Sequence, residues 1–126
     1  MHNKKNRPVY LNLFAIHLPI TGLASIVHRV TGVLWVLLLP LALGLFQRSL
    51  ENEAGYAQVR ALMDGMPAKL ALLLALWLFA QHFFSGLRHL FLDLGMGVSL
   101  NSARRSAVWT FVASAGVVTF AALWLL

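Results

Sequence analysis

The sequence predicts an all-α membrane protein with three transmembrane helices, on the strength of three observations. Hydrophobic residues fill 60% of the 126 positions. Charged residues fill 11%, less than half the share usual in a soluble domain. The apolar residues gather in three long runs, each near the ~20 residues that a helix needs to cross the hydrocarbon core. A soluble chain of this length could not hide so much apolar surface in one small core, whereas lipid solvates the outer faces of apolar helices. The composition argues against the competing reading, a pair of long core helices in a soluble bundle.

The elements follow in order. Lys4, Lys5 and Arg7 make a basic N-terminal tail, but Pro8, Asn12, His17 and Pro19 interrupt the stretch where a signal peptide would carry its apolar segment. No Arg- and Ser-rich transit peptide precedes them. The chain therefore reads as a bacterial membrane protein from its first residue, with a processed organellar protein as the alternative. The first span is free of charge from Val30 to Phe46 and begins upstream near Gly22, giving a helix over about 22–47. Pro40 lies in mid-run and is expected to kink it, as a membrane helix tolerates. The polar connection from Gln47 to Pro67 carries Arg48, Glu51, Glu53, Arg60 and Asp64, with a short surface helix expected over Ala57 to Met63.

The second span has no formal charge over the 18 residues from Leu70 to Leu87. Proline suits the first turn of a helix, so it starts at Pro67 and covers about 67–94. Asp93 to Ser106 forms a shorter connection containing Gly95, Gly97, Arg104 and Arg105. The third span, about 105–126, is apolar over the 20 residues from Ala107 to Leu126. With no internal repeat or low-complexity tract, residues 1–126 read as one membrane-anchor domain.

Charge sets the topology. The formal charge is +6, but the basic residues flank apolar runs instead of forming a stripe of their own, which suits lipid head groups and not nucleic acid. Lys4, Lys5, Arg7, Arg29, Arg88, Arg104 and Arg105 fall on one side of the three-span arrangement, and Arg48, Arg60 and Lys69 on the other. Seven against three places the N-terminus and the second connection in the cytoplasm and the C-terminus in the periplasm. The absence of cysteine excludes disulfides, Cys-ligated zinc and iron–sulfur ligation by this chain. Histidine is left as the strong ligand for a borderline metal.

Ionisable residues inside a span are costly and are functional candidates by default. One cluster is Ser25, His28, Arg29, Thr31 and Gly32 on span one. Ser25, Arg29 and Gly32 share a face with His28 at its edge, and Ser25 and Arg29 are spaced to converge on one ligand. A hydroxyl and a guanidinium there suit a quinone carbonyl or a cofactor carboxylate. The plainer reading is that Arg29 snorkels to the head groups and Ser25 bonds its own helix. The second cluster is Gln81, His82, Ser85, Gly86, Arg88, His89 and Asp93 on span two. His82, Gly86, His89 and Asp93 lie near one line along the helix. His82 is 15 residues past Pro67, about 22 Å along the axis and well inside the bilayer. A histidine at that depth is a satisfied packing residue, a proton relay or an axial haem ligand, and Gly86 would let a porphyrin approach the backbone. One histidine serves one face of the iron, so a second ligand would come from elsewhere. The two clusters read as sites at different depths, His82 deep and Ser25 with Arg29 shallow.

Four strings carry a resemblance. Arg7-Pro8-Val9-Tyr10-Leu11-Asn12-Leu13 precedes span one. Pro19-Ile20-Thr21 follows, and then Ser25-Ile26-Val27-His28-Arg29-Val30-Thr31-Gly32. Span two holds His82-Phe83-Phe84-Ser85-Gly86-Leu87-Arg88-His89-Leu90 with Asp93. In order, spacing and length the chain resembles the cytochrome b556 family of membrane-anchor subunits of succinate dehydrogenase, respiratory complex II. No motif position departs from the pattern, while the 47–67 connection and span three carry little of it.

The resemblance implies an anchor in a bacterial inner membrane, paired with a second three-helix anchor, that holds an iron–sulfur subunit and a flavoprotein subunit on the cytoplasmic face. Succinate would be oxidised on the flavoprotein and electrons delivered to ubiquinone, with no succinate chemistry on this chain. It implies a haem b shared with the partner anchor and His82 as its axial ligand on this side. Ser25 and Arg29 would bind quinone. His28 and Arg29 would lie near the haem propionates, with His89 and Asp93 in support. The alternatives are the anchor of a fumarate reductase, a haem-free structural anchor, and a small transporter subunit with a proton path through His82 and His89.

Overall fold

A computed structural model describes residues 17–126; Lys4, Lys5, Arg7 and the string from Arg7 to Leu13 lie outside them. The order is α1 (Ile20–Glu51), α2 (Glu53–Asp64), α3 (Met66–Asp93) and α4 (Leu100–Leu125), with no strand among the described residues. Helices α1, α3 and α4 are each long and apolar enough to cross a membrane. At 1.5 Å per residue they are about 48, 42 and 39 Å long, longer than the ~30 Å hydrocarbon core.

That excess explains where the helices depart from the expected boundaries. Helix α1 runs past Gln47 to Glu51, and α4 begins at Leu100 instead of near 105. Hydropathy marks the part of a helix in lipid, whereas caps mark its end. Ser99 caps α4 by accepting a hydrogen bond from the Ser102 amide, so the first turn includes Asn101 and precedes Arg104 and Arg105. Asn52 caps α2 in the same way through the Gly55 amide at 2.8 Å, extending the expected 57–63 surface helix to Glu53–Asp64. Pro67 sits in the first turn of α3, one residue after the start, and α1 continues through Pro40. Helix α3 stops in a Schellman motif: the Gly95 amide donates to the Leu92 carbonyl and the Met96 amide to the Phe91 carbonyl, both at 2.9 Å. The motif needs a left-handed residue at Gly95, which has φ 76°.

The bundle is antiparallel. His28 meets His89 and Trp35 meets Phe79, so α1 and α3 run in opposite directions. Gln81 meets Ser114 and Arg88 meets Ala103, which sets α4 against α3 in the same way. The start of α1, the end of α3 and the start of α4 therefore lie at one end.

The interior is more polar than the exterior. The largest fully buried side chains are Gln81, Thr31, Ser85 and Ser114, and the buried apolar ones are mostly alanines. Leucines, valines and phenylalanines face outward along all three long helices. With lipid outside there is no hydrophobic drive to bury them, and helices associate through small residues and interhelical hydrogen bonds. Gln81 centres one such network: its amide nitrogen donates to Ser85 Oγ (3.1 Å) and Thr110 Oγ1 (3.4 Å), and its carbonyl accepts from Ser114 Oγ at 2.6 Å. This clamp fixes the rotation of α3 about its axis and so the direction in which His82, the next residue, points.

Gln81→Leu removes the three bonds, while Thr110 and Ser114 can fall back on the carbonyls of Ala107 and Phe111. The expected loss is about 1 kcal/mol, read as a lower unfolding temperature of the purified assembly in detergent.

Candidate functional site

The ionisable residues of α1 and α3 meet at one seam. The His28 and His82 rings are stacked, with centroids 4.2 Å apart and planes 19° from parallel. His89, two turns beyond His82, brings its ring to 5.1 Å from His28. Glycines permit the contact from both sides. A Cβ on Gly32 would sit 2.8 Å from His82 Cε1, and a Cβ on Gly86 would sit 3.4 Å from His28 Nε2. Each histidine thus lies over the glycine of the opposite helix. The flat group that Gly32 admits is the His82 ring, and the one beside Gly86 is the His28 ring.

The backbone settles the tautomer of His82. Its Nδ1 lies 3.0 Å from the His28 carbonyl oxygen. A carbonyl only accepts, so Nδ1 carries a proton and Nε2 is the ring nitrogen left for another partner. Thr31, fully buried, donates its hydroxyl to the Val27 and His28 carbonyls (2.8 and 2.9 Å) and comes within 3.5 Å of His82 Nδ1. A histidine whose Nδ1–H is anchored to a main-chain carbonyl is oriented as metal-binding histidines are, with Nε2 free to coordinate. No group of three or more His, Cys, Asp or Glu among the described residues could enclose a metal ion. The site offers one ring nitrogen, Nε2 of His82, and no cage among the described residues. The His28 and His82 rings lie face to face, so their in-plane nitrogens do not converge on one point.

Ser25 and Arg29 pair as their spacing suggests: Arg29 Nη2 donates to Ser25 Oγ at 3.3 Å. The bond leaves the Ser25 hydroxyl proton available to another acceptor. Arg29 is exposed on the outside of α1. Neither of the apolar grooves described between α3 and α4 includes Ser25, Arg29 or the histidines.

The structure brings together His28, His82 and His89, which the sequence had divided between two clusters. His28, at the edge of the Ser25 face, contacts both histidines of α3, so residues of the two clusters meet at one seam. Asp93 is exposed and forms no ion pair among the described residues. The Gln81 clamp and the Thr31 contact emerge only from the packing of the helices. The signal was present as Ser106, Thr110 and Ser114, four residues apart in an apolar span opposite Gln81, Ser85 and Arg88.

Three apolar helices with an ionisable seam define a multi-pass membrane protein built around a buried polar site. Comparison with known proteins narrows the class. The family model for the succinate dehydrogenase/fumarate reductase transmembrane subunit matches residues 3–122, and the chain belongs to that family. A succinate dehydrogenase cytochrome b556 subunit of Coxiella burnetii is 35% identical over 120 residues, covering 94% of this chain and 96% of the relative. A subunit of the same name from Paracoccus denitrificans is 28% identical over 105 residues, covering 83% and 81% respectively.

The two glycines should respond unequally to a methyl group. Gly32→Ala drives a rigid ring from its place and is expected to destabilise the assembly by roughly 1–3 kcal/mol, whereas Gly86→Ala costs well under that. Thermal unfolding of both variants checks this, and a His82→Ala background should suppress most of the Gly32→Ala penalty.

Proposed function

We propose that this chain is the haem- and quinone-binding membrane anchor of a succinate:quinone oxidoreductase, with His82 as one axial ligand of a haem b and Ser25 and Arg29 in the quinone-reduction site. The hydrogen bond from His82 Nδ1 to the His28 carbonyl carries the reading. It prepares Nε2 for iron, as a packing histidine has no need to do. The cytochrome b556 names of the relatives support the same assignment.

The residues present fit a haem in chemistry and in count. His82 would supply one nitrogen, and the partner anchor would supply the remaining protein ligand. His28 and His89 meet at the same seam, and Arg29 follows His28 in the chain on the outer side of α1, so that cationic and hydrogen-bonding groups suited to propionates lie nearby; Asp93 would serve proton delivery from the surface. When bound, the haem supplies a one-electron store within the bilayer.

At the quinone, Arg29 orients Ser25 by occupying a lone pair of its oxygen, so the hydroxyl proton points to a substrate carbonyl. The guanidinium stabilises the negative charge that grows on that oxygen as two electrons and two protons convert quinone to quinol. Succinate is oxidised on a flavoprotein subunit, and its electrons reach the anchor through an iron–sulfur subunit. Those subunits dock on the face of the bacterial inner membrane that carries the basic flanks. The N-terminus is cytoplasmic and the C-terminus periplasmic, following the seven-to-three division of Lys and Arg. Residues 1–126 act as one anchor domain, with ubiquinone as acceptor.

Two experiments test this. A reduced-minus-oxidised spectrum of the purified complex should lose its b-type band in His82→Ala, and full retention would refute the ligation. Ser25→Ala and Arg29→Ala should lower quinone reduction about 10²-fold, the scale of losing a donor to a developing oxyanion, while succinate oxidation by an artificial dye stays unchanged. Undiminished quinone turnover in both would refute the quinone role.

A further inference from the structure

Arg88 presents a second unsolved charge, on the side of α3 away from the histidines. Its residue is 8% exposed, among the least exposed in the chain. Its Nε donates to Ser106 Oγ at 3.1 Å and its Nη2 to the Ala103 carbonyl at 3.3 Å. Both partners are neutral. Among the described residues the ion pair is Arg48–Glu51, and the nearest acid in sequence, Asp93, does not reach Arg88. A guanidinium has five N–H donors, and two are used here, which leaves three and a full positive charge. A charge taken out of water without a counter-ion is unfavourable unless an anion joins it.

The same arginine lines a groove of about 530 Å³ between α3 and α4. Apart from Ser106 and Thr110 its other walls are apolar, with Phe84, Phe91, Met96 and Trp109 prominent. From Phe84 to Leu92 it runs about 12 Å along the helix, within the ~15 Å of one leaflet's half of the core. A separate groove of about 330 Å³, lined by Leu72, Leu76, Phe120 and Trp124, lies toward the other end. Between the two levels Gln81 and Ser114 join the helices. A transmembrane partner helix would need a seat along the whole span. A lipid tail needs only one leaflet, and Arg104 and Arg105, exposed at the start of α4, add positive charge at the same end.

We propose that the groove between α3 and α4 holds an acyl chain of an anionic phospholipid whose phosphate pairs with Arg88. The free donors of the guanidinium take the phosphate oxygens, Phe91 and Met96 flank the head group on the surface side of Arg88, and Phe84, Leu87 and Ala113 line the deeper part for the chain, with Trp109 covering it from α4. The site shares no residue with the haem and quinone assignment and stands or falls separately from it.

Native mass spectrometry of the assembled, delipidated complex tests the proposal by titration with phosphatidylglycerol or phosphatidylcholine of identical chains. The wild type should retain one phosphatidylglycerol about ten-fold more tightly than phosphatidylcholine, as one charge-assisted pairing would give. Arg88→Gln should abolish that preference, and Arg88→Lys should keep part of it. Ala113→Phe fills the groove, leaves the Arg88 hydrogen bonds intact, and should also lose the tight lipid; it carries the test if Arg88→Gln does not assemble. Wild-type retention in either Arg88→Gln or Ala113→Phe would overturn the proposal. So would a photocrosslinker at position 109 that captures a polypeptide instead of lipid.

Discussion

The seam between α1 and α3 depends on a reciprocal exchange in which the His82 ring lies over Gly32 and the His28 ring over Gly86. Two helices in lipid have little reason to approach unless their surfaces are small or polar. Here they are both. The glycines bring the backbones close enough for the His28 carbonyl to accept the proton of His82 Nδ1, which aims the other ring nitrogen. Packing, tautomer and ligand direction thus follow from one contact, and a methyl group at Gly32 would disturb all three.

The other face of α3 is held differently. Gln81 reaches across to Thr110 and Ser114, and Arg88 to Ser106 and the Ala103 carbonyl. One helix therefore presents imidazoles to α1 and amide, hydroxyl and guanidinium groups to α4. Its apolar residues are turned out to lipid. This inversion of the usual soluble pattern lets a 126-residue chain keep a polar centre without a large hydrophobic core.

Much of this was legible in the sequence. The three spans follow from apolar runs near the thickness of a bilayer, and the pairing of Ser25 with Arg29 follows from helical spacing. The helix ends were not legible from hydropathy, because Asn52 and Ser99 carry α2 and α4 beyond the apolar limits. The joining of His28 to His82 was also hidden, since 54 residues separate them and only the α1–α3 register sets their meeting. Gly32 and Gly86 each signalled a close approach, but not that each served the other's neighbouring histidine. The hydroxyls of α4 were readable as a stripe only with Gln81 opposite to give them a purpose.

The central claim is that main-chain geometry holds His82 with a protonated Nδ1 and a bare Nε2. Solid-state NMR of the membrane-reconstituted, reduced complex, with ¹⁵N-labelled histidine and His82→Gln to assign the signal, measures this directly. The account predicts a proton on Nδ1 of His82 and none on Nε2. A proton on Nε2, with Nδ1 bare, would contradict it.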